Sequence, residues 1–381
     1  MTLAVTETIY KQDFQTVLEQ TEDRELRGLR EKAFDFFTET GFPTVRDEEW
    51  KYTNVASLGS GRWSMVGAQK EQVSSEAIEL LKQFDFARNG FTALNLAFAN
   101  VVLVRIPKET SASEPIEFNF KADDGTVNFP HVIVVAEAGS KATIIESYES
   151  SAPSFTNAAI QIFVEDNANI THYRVQRESV EAFHVGTTEV ILGRGSFYNS
   201  TNINLGGKLS RHDIHLKFTA EGGEAYVDGL YMLSGEQHAD THSTIDHAVP
   251  NCASHQTYKG VLNDRSRGVF NGKVFVRENA SGTDAQQSNK NLLLSNEARV
   301  DTKPQLEIFN DDVKCAHGAT VGQLEDEELF YLLSRGLNDT LARNLLTYGF
   351  AEEIVNKIEI ESIKKELDEA VLNRLQTNLE A

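Results

Sequence analysis

The sequence predicts a mainly β protein whose core is a parallel β-helix, with α-helical segments before and after it. Between about Phe91 and Gly322, apolar residues come in short β-branched runs that polar or glycine-containing turns separate. Within that segment, units with the order turn, small residue, strand recur about every 27 to 28 residues, a period typical of solenoids, which bury their apolar faces by stacking. These units begin at Gly139, Asp166, Gly193 and Glu221.

Three domains are expected: an N-terminal helical domain over residues 1–95, the β core over 96–322 and a C-terminal helical domain over 323–381. The β segment is long for a sandwich of about 100 residues. A sandwich and a distorted barrel nevertheless stay as rival interpretations of the core, because the repeats share no strict consensus.

The N-terminal segment has the apolar spacing of amphipathic helices. Gly41-Phe42-Pro43 is expected to end a long helix, and a second helix is predicted from Ser75, its candidate cap, to Phe84. Between them, Trp50 and Tyr52 stand among charged residues; an anchor between helix and core is favoured over a surface contact. The apolar positions that define the first helix are Leu18, Leu26, Leu29, Ala33, Phe36 and Phe37.

The helical period returns after Gly322. Acidic residues over 325–328 suit the first turn of a helix that Gly336 closes. A second helix is predicted from Asp339 to about Tyr348 and a third from Ala351 into the tail. The last helix is expected to bury an apolar stripe formed by Ile354, Ile358, Ile363, Leu367 and Val371.

Composition excludes several functions. The net charge of -21 argues against a nucleic-acid partner and an anionic membrane surface, and leaves either solubility or a basic protein partner as its role. No apolar run reaches the roughly 18 residues of a membrane span, and no signal peptide is predicted. Two cysteines give no disulfide framework, which fits a cytoplasmic protein. Because a GxxxxGK[ST] loop is absent, any nucleotide energy would come from a partner.

Two groups of residues are candidates for chemistry. His238, Asp240 and His242 alternate along a predicted strand, so they share one face and form either a metal site or a polar ladder in which Asp orients His. We favour the ladder, because no HExxH or comparable motif fixes a metal geometry.

Cys315 and His317 form the second group. A thiol and an imidazole two residues apart can point to one side, with Asp311 and Asp312 close enough to orient the imidazole or support a cation. Two alternatives stay open: a buried Cys with His317 capping a turn, and a Cys–His catalytic pair, although nothing nearby resembles an oxyanion hole. A four-cysteine site within one chain is impossible, so a metal centre would be shared with another chain.

Five segments of the chain form distinctive motifs: Glu49-Trp-Lys-Tyr-Thr53, Arg267-Gly-Val-Phe-Asn-Gly-Lys273, Gln286-Gln-Ser-Asn-Lys-Asn-Leu-Leu-Leu294, Lys303-Pro-Gln-Leu-Glu-Ile308 and Asp311-Asp-Val-Lys-Cys-Ala-His-Gly-Ala-Thr-Val-Gly322. These segments carry a resemblance to the SufB/SufD family of iron–sulfur cluster assembly scaffolds, and the chain is similar to the SufD branch because it is short and lacks cysteine-rich features. The resemblance implies a right-handed parallel β-helix between helical domains.

The resemblance also implies partners and a site. It implies a non-catalytic scaffold subunit of a SufBCD complex, which pairs with SufB through the end of the β-helix and with the ATPase SufC through the C-terminal helices. His317 would be a cluster-assembly residue at the SufB interface, and Cys315 is the weaker candidate for the same role. The two would hold a transient cluster shared with SufB. No permanent cofactor is expected. The SufC contacts would be Glu328, Phe330, Tyr331, Arg335 and Gly336.

Two other classes of function stay as alternatives. A β-helix enzyme that cleaves polysaccharides would need a pair of carboxylates on one rung, and none is obvious. A structural scaffold without cluster chemistry would form a homodimer through the exposed end of the solenoid, which is also expected for the isolated chain of a cluster scaffold.

Overall fold

The computed structural model describes residues 3–59, 61, 63–65 and 73–377. In this part of the chain eight α-helices surround a core of β-strands. The helices are α1 (Leu3–Gln20), α2 (Arg24–Thr40), α3 (Ala56–Gly59), α4 (Ser75–Leu81), α5 (Gly90–Phe98), α6 (Asp326–Ser334), α7 (Asp339–Val355) and α8 (Glu361–Thr377). No described helix is both long enough and apolar enough to cross a membrane.

The strands form two parallel sheets. The first sheet contains β1 (Ser64–Met65), β2 (Asn100–Ile106), β4 (Thr126–Asn128), β5 (Pro130–Ala136), β7 (Phe155–Val164), β9 (Phe183–Leu192), β11 (Leu209–Phe218), β13 (His238–His247), β15 (Arg267–Val276) and β17 (Arg299–Ile308). The second contains β3 (Ile116–Ala122), β6 (Lys141–Ser150), β8 (Asn169–Arg177), β10 (Phe197–Asn204), β12 (Glu224–Leu233), β14 (Ala253–Leu262), β16 (Thr283–Leu293) and β18 (Val313–Gly322).

The strand pairing makes the core a solenoid. From β5 onward the chain alternates between the two sheets, and each strand pairs in parallel with the strand two places further on, as in β11 with β13 and β13 with β15. Each rung therefore stacks on the next, and the predicted parallel β-helix with helices on both sides is confirmed. The rival sandwich and barrel are wrong, because sandwiches are built from antiparallel sheets and a closed barrel leaves no unpaired strand.

The predicted repeat corresponds to a column of stacked turns. Gly139, Asn167, Gly195 and Gly222 have positive φ angles between 57° and 78°, a backbone conformation that favours Gly and Asn. Their N–H groups donate across rungs: Gly139 to the carbonyl of residue 166 at 2.9 Å, and Gly195 to that of residue 221 at 3.0 Å. The repeat is thus set by turn geometry, which explains why the strands share no consensus.

The interior of the solenoid contains an apolar cluster and a mainly polar column of residues. Ile144, Ile170, Ile214 and Ile245 belong to one continuous buried apolar cluster. Along the second sheet, from β8 onward, the register also stacks mainly polar residues that share the inward face. One such column runs through His172, Ser200, Val227, Gln256, Gln287 and His317.

The N-terminal helices cover the outer face of the first sheet. Phe91 and Phe98 of α5 contact Phe155 and Phe129, with ring centres 6.3 and 5.1 Å apart. The single helix predicted to include Leu18 is two helices, because α1 ends at Gln20 and α2 begins at Arg24; its predicted end is confirmed, since α2 ends at Thr40. The predicted cap of α4 was wrong by one residue: Ser74 accepts a 3.2 Å hydrogen bond from the N–H of residue 77, because Ser75 already has helical backbone.

The C-terminal helices cover the outer face of the second sheet. Ile354, Val355 and Leu367 pack in one cluster with Tyr173 and Leu230. The predicted boundary between the second and third helices was wrong, since α7 continues to Val355. A glycine inside a helix costs only about 1 kcal/mol. Burying the apolar residues that follow Gly349 outweighs that cost, so the helix does not end there.

Candidate functional site at the open end of the solenoid

Both sheets end without a further rung at the same end of the solenoid. In the described part of the chain β18 pairs only with β16, and β17 only with β15. Apolar side chains at this rim reach solvent: Val321 is 48% exposed and Phe309, directly after β17, 56%. Unpaired strand edges beside exposed apolar residues form a template for another polypeptide chain. We call this end, residues 299–322, the rim.

Cys315 lies on the inward face of β18, above Ala285 of the preceding rung. It is half-buried and packs with Val313 against the interior apolar cluster. Burial raises the pKa of the thiol, and a backbone hydrogen bond at residue 285 opposes that effect only in part. The sulfur is therefore protonated at neutral pH and would lose its proton on binding iron.

His317 lies two residues further along β18 and shares the inward face with Cys315. Two steps along a strand separate the Cα atoms by about 6.6 Å. His317 is exposed, because no rung beyond β18 covers it in the described part of the chain. Below it is Gln287, whose buried Oε1 has no partner in the described structure. The polar column of the interior therefore ends at an accessible imidazole.

The two aspartates near this pair do not orient it. Asp311 and Asp312 lie in the turn before β18, where the carbonyl of Asp312 accepts a 2.7 Å hydrogen bond from the N–H of Gly282. Within the described residues His317 makes no hydrogen bond or ion pair. No group of three or more His, Cys, Asp or Glu side chains able to hold a metal occurs in the same residues. The rim thus offers a thiol and an imidazole, which is an incomplete ligand set.

The five residues predicted to bind a partner lie on or next to the short helix α6. Leu329 is buried and fixes the helix, while Phe330 and Tyr331 are 73% and 56% exposed. The Arg335 guanidinium carbon lies 5.1 Å from the Tyr331 ring centre, and Gly336, with φ of 96°, follows the end of the helix. Glu328 is exposed in the first turn.

Helix α7 extends this exposed apolar surface with residues that the sequence analysis did not name. Leu341 and Leu345 are 51% and 50% exposed and lie four residues apart, hence on one helix face. An isolated exposed leucine is ordinary, whereas a group of large apolar side chains on adjacent helices is typical of a protein-binding surface. We call this group the docking surface; it consists of Phe330, Tyr331, Leu333, Leu341 and Leu345.

Comparison with known proteins identifies the family. A family model described as the SufBD core domain of the SUF system for FeS cluster assembly matches residues 118–350, and a model of the SufBD N-terminal region matches residues 6–77. The chain belongs to the SufB/SufD family.

Individual members of the family are similar along much of the chain. An iron–sulfur cluster assembly SufBD family protein of Synechocystis is 34% identical, with 97% of each chain covered. The iron–sulfur cluster assembly protein SufD of Escherichia coli is 36% identical over 66% of this chain and 59% of its own. SufD of Bacillus subtilis is 29% identical over 72% of this chain and 64% of its own.

The SufBD core match includes both the rim and α6, and the N-terminal match includes a segment that crosses the solenoid. This segment, residues 47–54, which we call the strap, lies over β11, β13, β15 and β17. Glu48 reaches Lys303 of β17 at 3.0 Å, and the carbonyl of Glu49 accepts a 2.7 Å hydrogen bond from Arg211 of β11. The Trp50 ring lies 3.9 Å from the Arg211 guanidinium carbon, so Trp50 is an anchor, as predicted.

Under the strap, His238, Asp240 and His242 share the outward face of β13 and form a polar ladder. Asp240 accepts hydrogen bonds from Thr53 at 2.5 Å and Arg211 at 2.8 Å, and its other oxygen lies 3.1 Å from Nε2 of His242. Burial alone would raise the pKa of Asp240, but Arg211 and His242 hold it far below the usual range. The carboxylate is held by protein donors and cations, which supports the ladder over a metal site.

Sequence reasoning missed a second polar cluster inside the solenoid. His172 lies 3.2 Å from a Glu146 oxygen, and His184 lies 2.9 Å from a Glu178 oxygen. Burial lowers the pKa of His184 despite the nearby carboxylate of Glu178. The alternation of polar residues at 172, 174 and 176 was the available signal, since in a strand such residues share one face.

Proposed function

We propose that this chain is a SufD-type, non-catalytic scaffold subunit of an iron–sulfur cluster assembly complex, which pairs with SufB through the rim and with the ATPase SufC through the docking surface. One observation carries the proposal: Cys315 and His317 share the inward face of an uncapped edge strand. A site placed there is incomplete until a second chain extends the sheet.

The ligand set supports a shared site. Iron–sulfur clusters are held by thiolates, and imidazole replaces thiolate in some of them. A cluster with four protein ligands would take both His317 and Cys315 from this chain. A SufB thiolate and carboxylate would supply the rest. The cluster is then cargo, formed at the interface and passed on, so the chain needs no permanent cofactor.

The docking surface supports a second partner. Its aromatic and leucine side chains are exposed although the protein is strongly acidic, and α7, which follows α6, packs directly on β12 and β14. Movement of a bound ATPase would therefore be transmitted to the second sheet, which ends in β18. We propose that nucleotide-driven motion of SufC opens the SufB interface and exposes Cys315 and His317.

The experiment is co-expression with SufB and SufC, followed by anaerobic reconstitution and measurement of bound iron and sulfide. We expect His317→Ala to assemble the complex, because the side chain is exposed and makes no hydrogen bond or ion pair within the described residues. The variant should lose most of the cluster, because an imidazole ligand is removed. Thr320→Ala, on the outward face of the same strand, is the matched control and should load normally.

Phe330→Ala tests the docking surface in the same preparation. It should lose SufC from the purified complex and retain SufB, because Phe330 lies outside the rim and is 73% exposed. Equal cluster content in His317→Ala and wild type would show that His317 is not a ligand of the cluster. Without SufB, two copies of this chain should pair through the rim, which light scattering will detect as a dimer.

A further inference from the structure

A small pocket with several cations lies beside the strap, and its lining includes neither Cys315 and His317 nor any residue of the docking surface. Its volume is about 260 Å³. One wall is formed by Lys51 and Tyr52 of the strap, and the floor by residues at the start of successive rungs of the first sheet. These floor residues are Lys208, His238 and Arg267.

The solenoid register brings these floor residues together. Leu209, His238 and Arg267 are paired positions at the beginnings of β11, β13 and β15, and Lys208 directly precedes Leu209. Neighbouring parallel strands are about 4.8 Å apart, so Lys208 and Arg267 stand about 10 Å apart with the imidazole between them. Residues separated by about 29 positions in the chain thus line one pocket.

The cations have unused hydrogen-bonding capacity. Lys51 and Lys208 make no ion pair within the described residues; their ammonium groups lie 5.6 and 5.7 Å from the ring centres of Tyr52 and Phe183. Arg267 binds Asp301 through Nε and Nη2, which leaves Nη1 for a ligand.

The remaining polar groups of the pocket do not cancel this charge. Burial lowers the pKa of the His238 imidazole, so the ring is neutral. Its Nε2 donates a 2.8 Å hydrogen bond to the hydroxyl of Thr53, which itself donates to Asp240, so Nδ1 is an acceptor and adds no charge to the pocket. Glu236 contributes a carboxylate to the lining, but Arg265 holds that carboxylate at 2.6 Å.

We propose that this pocket binds a small oxyanion of the phosphate class, either free or as the phosphate group of a larger ligand. Lys51 and Lys208 make no ion pair within the described residues, and Arg267 makes one, with Asp301, so a bound anion that joins the three cations would relieve their remaining repulsion. Lysine and arginine donors at these positions suit phosphate oxygens, and 260 Å³ has room for one such group. The pocket is independent of the proposed cluster site.

The test is a calorimetric titration of the full chain in chloride buffer with inorganic phosphate, ADP and adenosine. We expect phosphate and ADP to bind saturably and adenosine not to bind. Lys208→Ala should weaken binding of both by about 10-fold or more, the effect of losing one charge-assisted hydrogen bond. Lys217→Ala removes the same charge from an exposed position near the other end of β11 and should bind like wild type.

The outcomes separate the two sources of phosphate. Tighter binding of ADP than of phosphate, with both weakened in Lys208→Ala, assigns the pocket to a phosphorylated ligand; equal affinities assign it to the free ion. Absence of saturable binding, equal binding of adenosine, or equal weakening by Lys217→Ala and Lys208→Ala would overturn the proposal. Circular dichroism of each variant confirms that the fold is retained.

Discussion

Asp240 is the residue on which the contact between strap and solenoid depends. Its carboxylate is almost completely buried and joins Thr53 of the strap to Arg211 of β11 and His242 on its own strand. A buried charge is tolerated only when its partners satisfy it. Thr53, Arg211 and His242 satisfy the Asp240 carboxylate, so these three residues would lose a contact if the carboxylate were removed.

We expect Asp240→Ala to lower the free energy of unfolding by about 3–5 kcal/mol, because Arg211 keeps only Asp213 as a carboxylate partner and the donors at Thr53 and His242 lose their acceptor. Urea unfolding followed by circular dichroism will measure the change. Asp301→Ala is the matched control: its ion pair with Arg267 is more than one-third exposed, so the expected cost is about 0–1 kcal/mol. Similar costs for the two variants would contradict the role given to Asp240.

For single residues, the sequence predicted which side chains share a strand face but not which residues meet across paired strands. The common face of His238, Asp240 and His242 followed from the two-residue period of a strand. Arg211 was not found, because it meets Asp240 through the register of two strands whose paired residues are 29 positions apart. Local periodicity contains no information about which rung lies beside which.

Among the elements, the turns of the solenoid were the most predictable. The repeat was visible because the turns need Gly or Asn at positions of positive φ, a requirement that belongs to one residue. The break expected near Gly349 failed because packing of the following residues on the second sheet decides where α7 ends. A glycine indicates an end only where nothing outside the helix favours its continuation.

Two glycines near the C terminus test this difference. Gly349 lies inside α7 with helical neighbours, and the space that a Cβ atom would occupy there is open, so Gly349→Ala should raise the free energy of unfolding by about 1 kcal/mol. Gly336 has φ of 96°, so Gly336→Ala should lower it by about 1 kcal/mol or more. Thermal or urea unfolding measures both. Equal effects of the same sign would show that α7 ends at Gly349 in solution.

For the whole molecule, the helical segments cover the two outer faces of the solenoid and leave the rim open. The fold class and the order of helical and β segments could be predicted from the period and the flanking helical patterns. The half-buried state of Cys315 and the exposure of His317 on the last rung could not, because exposure depends on where stacking stops. Resemblance to the family supplied that candidate site, and composition and spacing alone left its chemistry undecided.

Because each rung contacts only its neighbours, stability should fall toward the rim. We expect native-state hydrogen exchange of dilute protein to be fastest in β17 and β18 and slowest in β9 to β12, which have strands on both sides and helices over their faces. SufB, or a higher concentration of the chain itself, should slow exchange at the rim and leave β10 unchanged. Exchange at the rim that no partner slows would mean that the open edge is not the interface, and the shared site at Cys315 and His317 would then have no second chain to complete it.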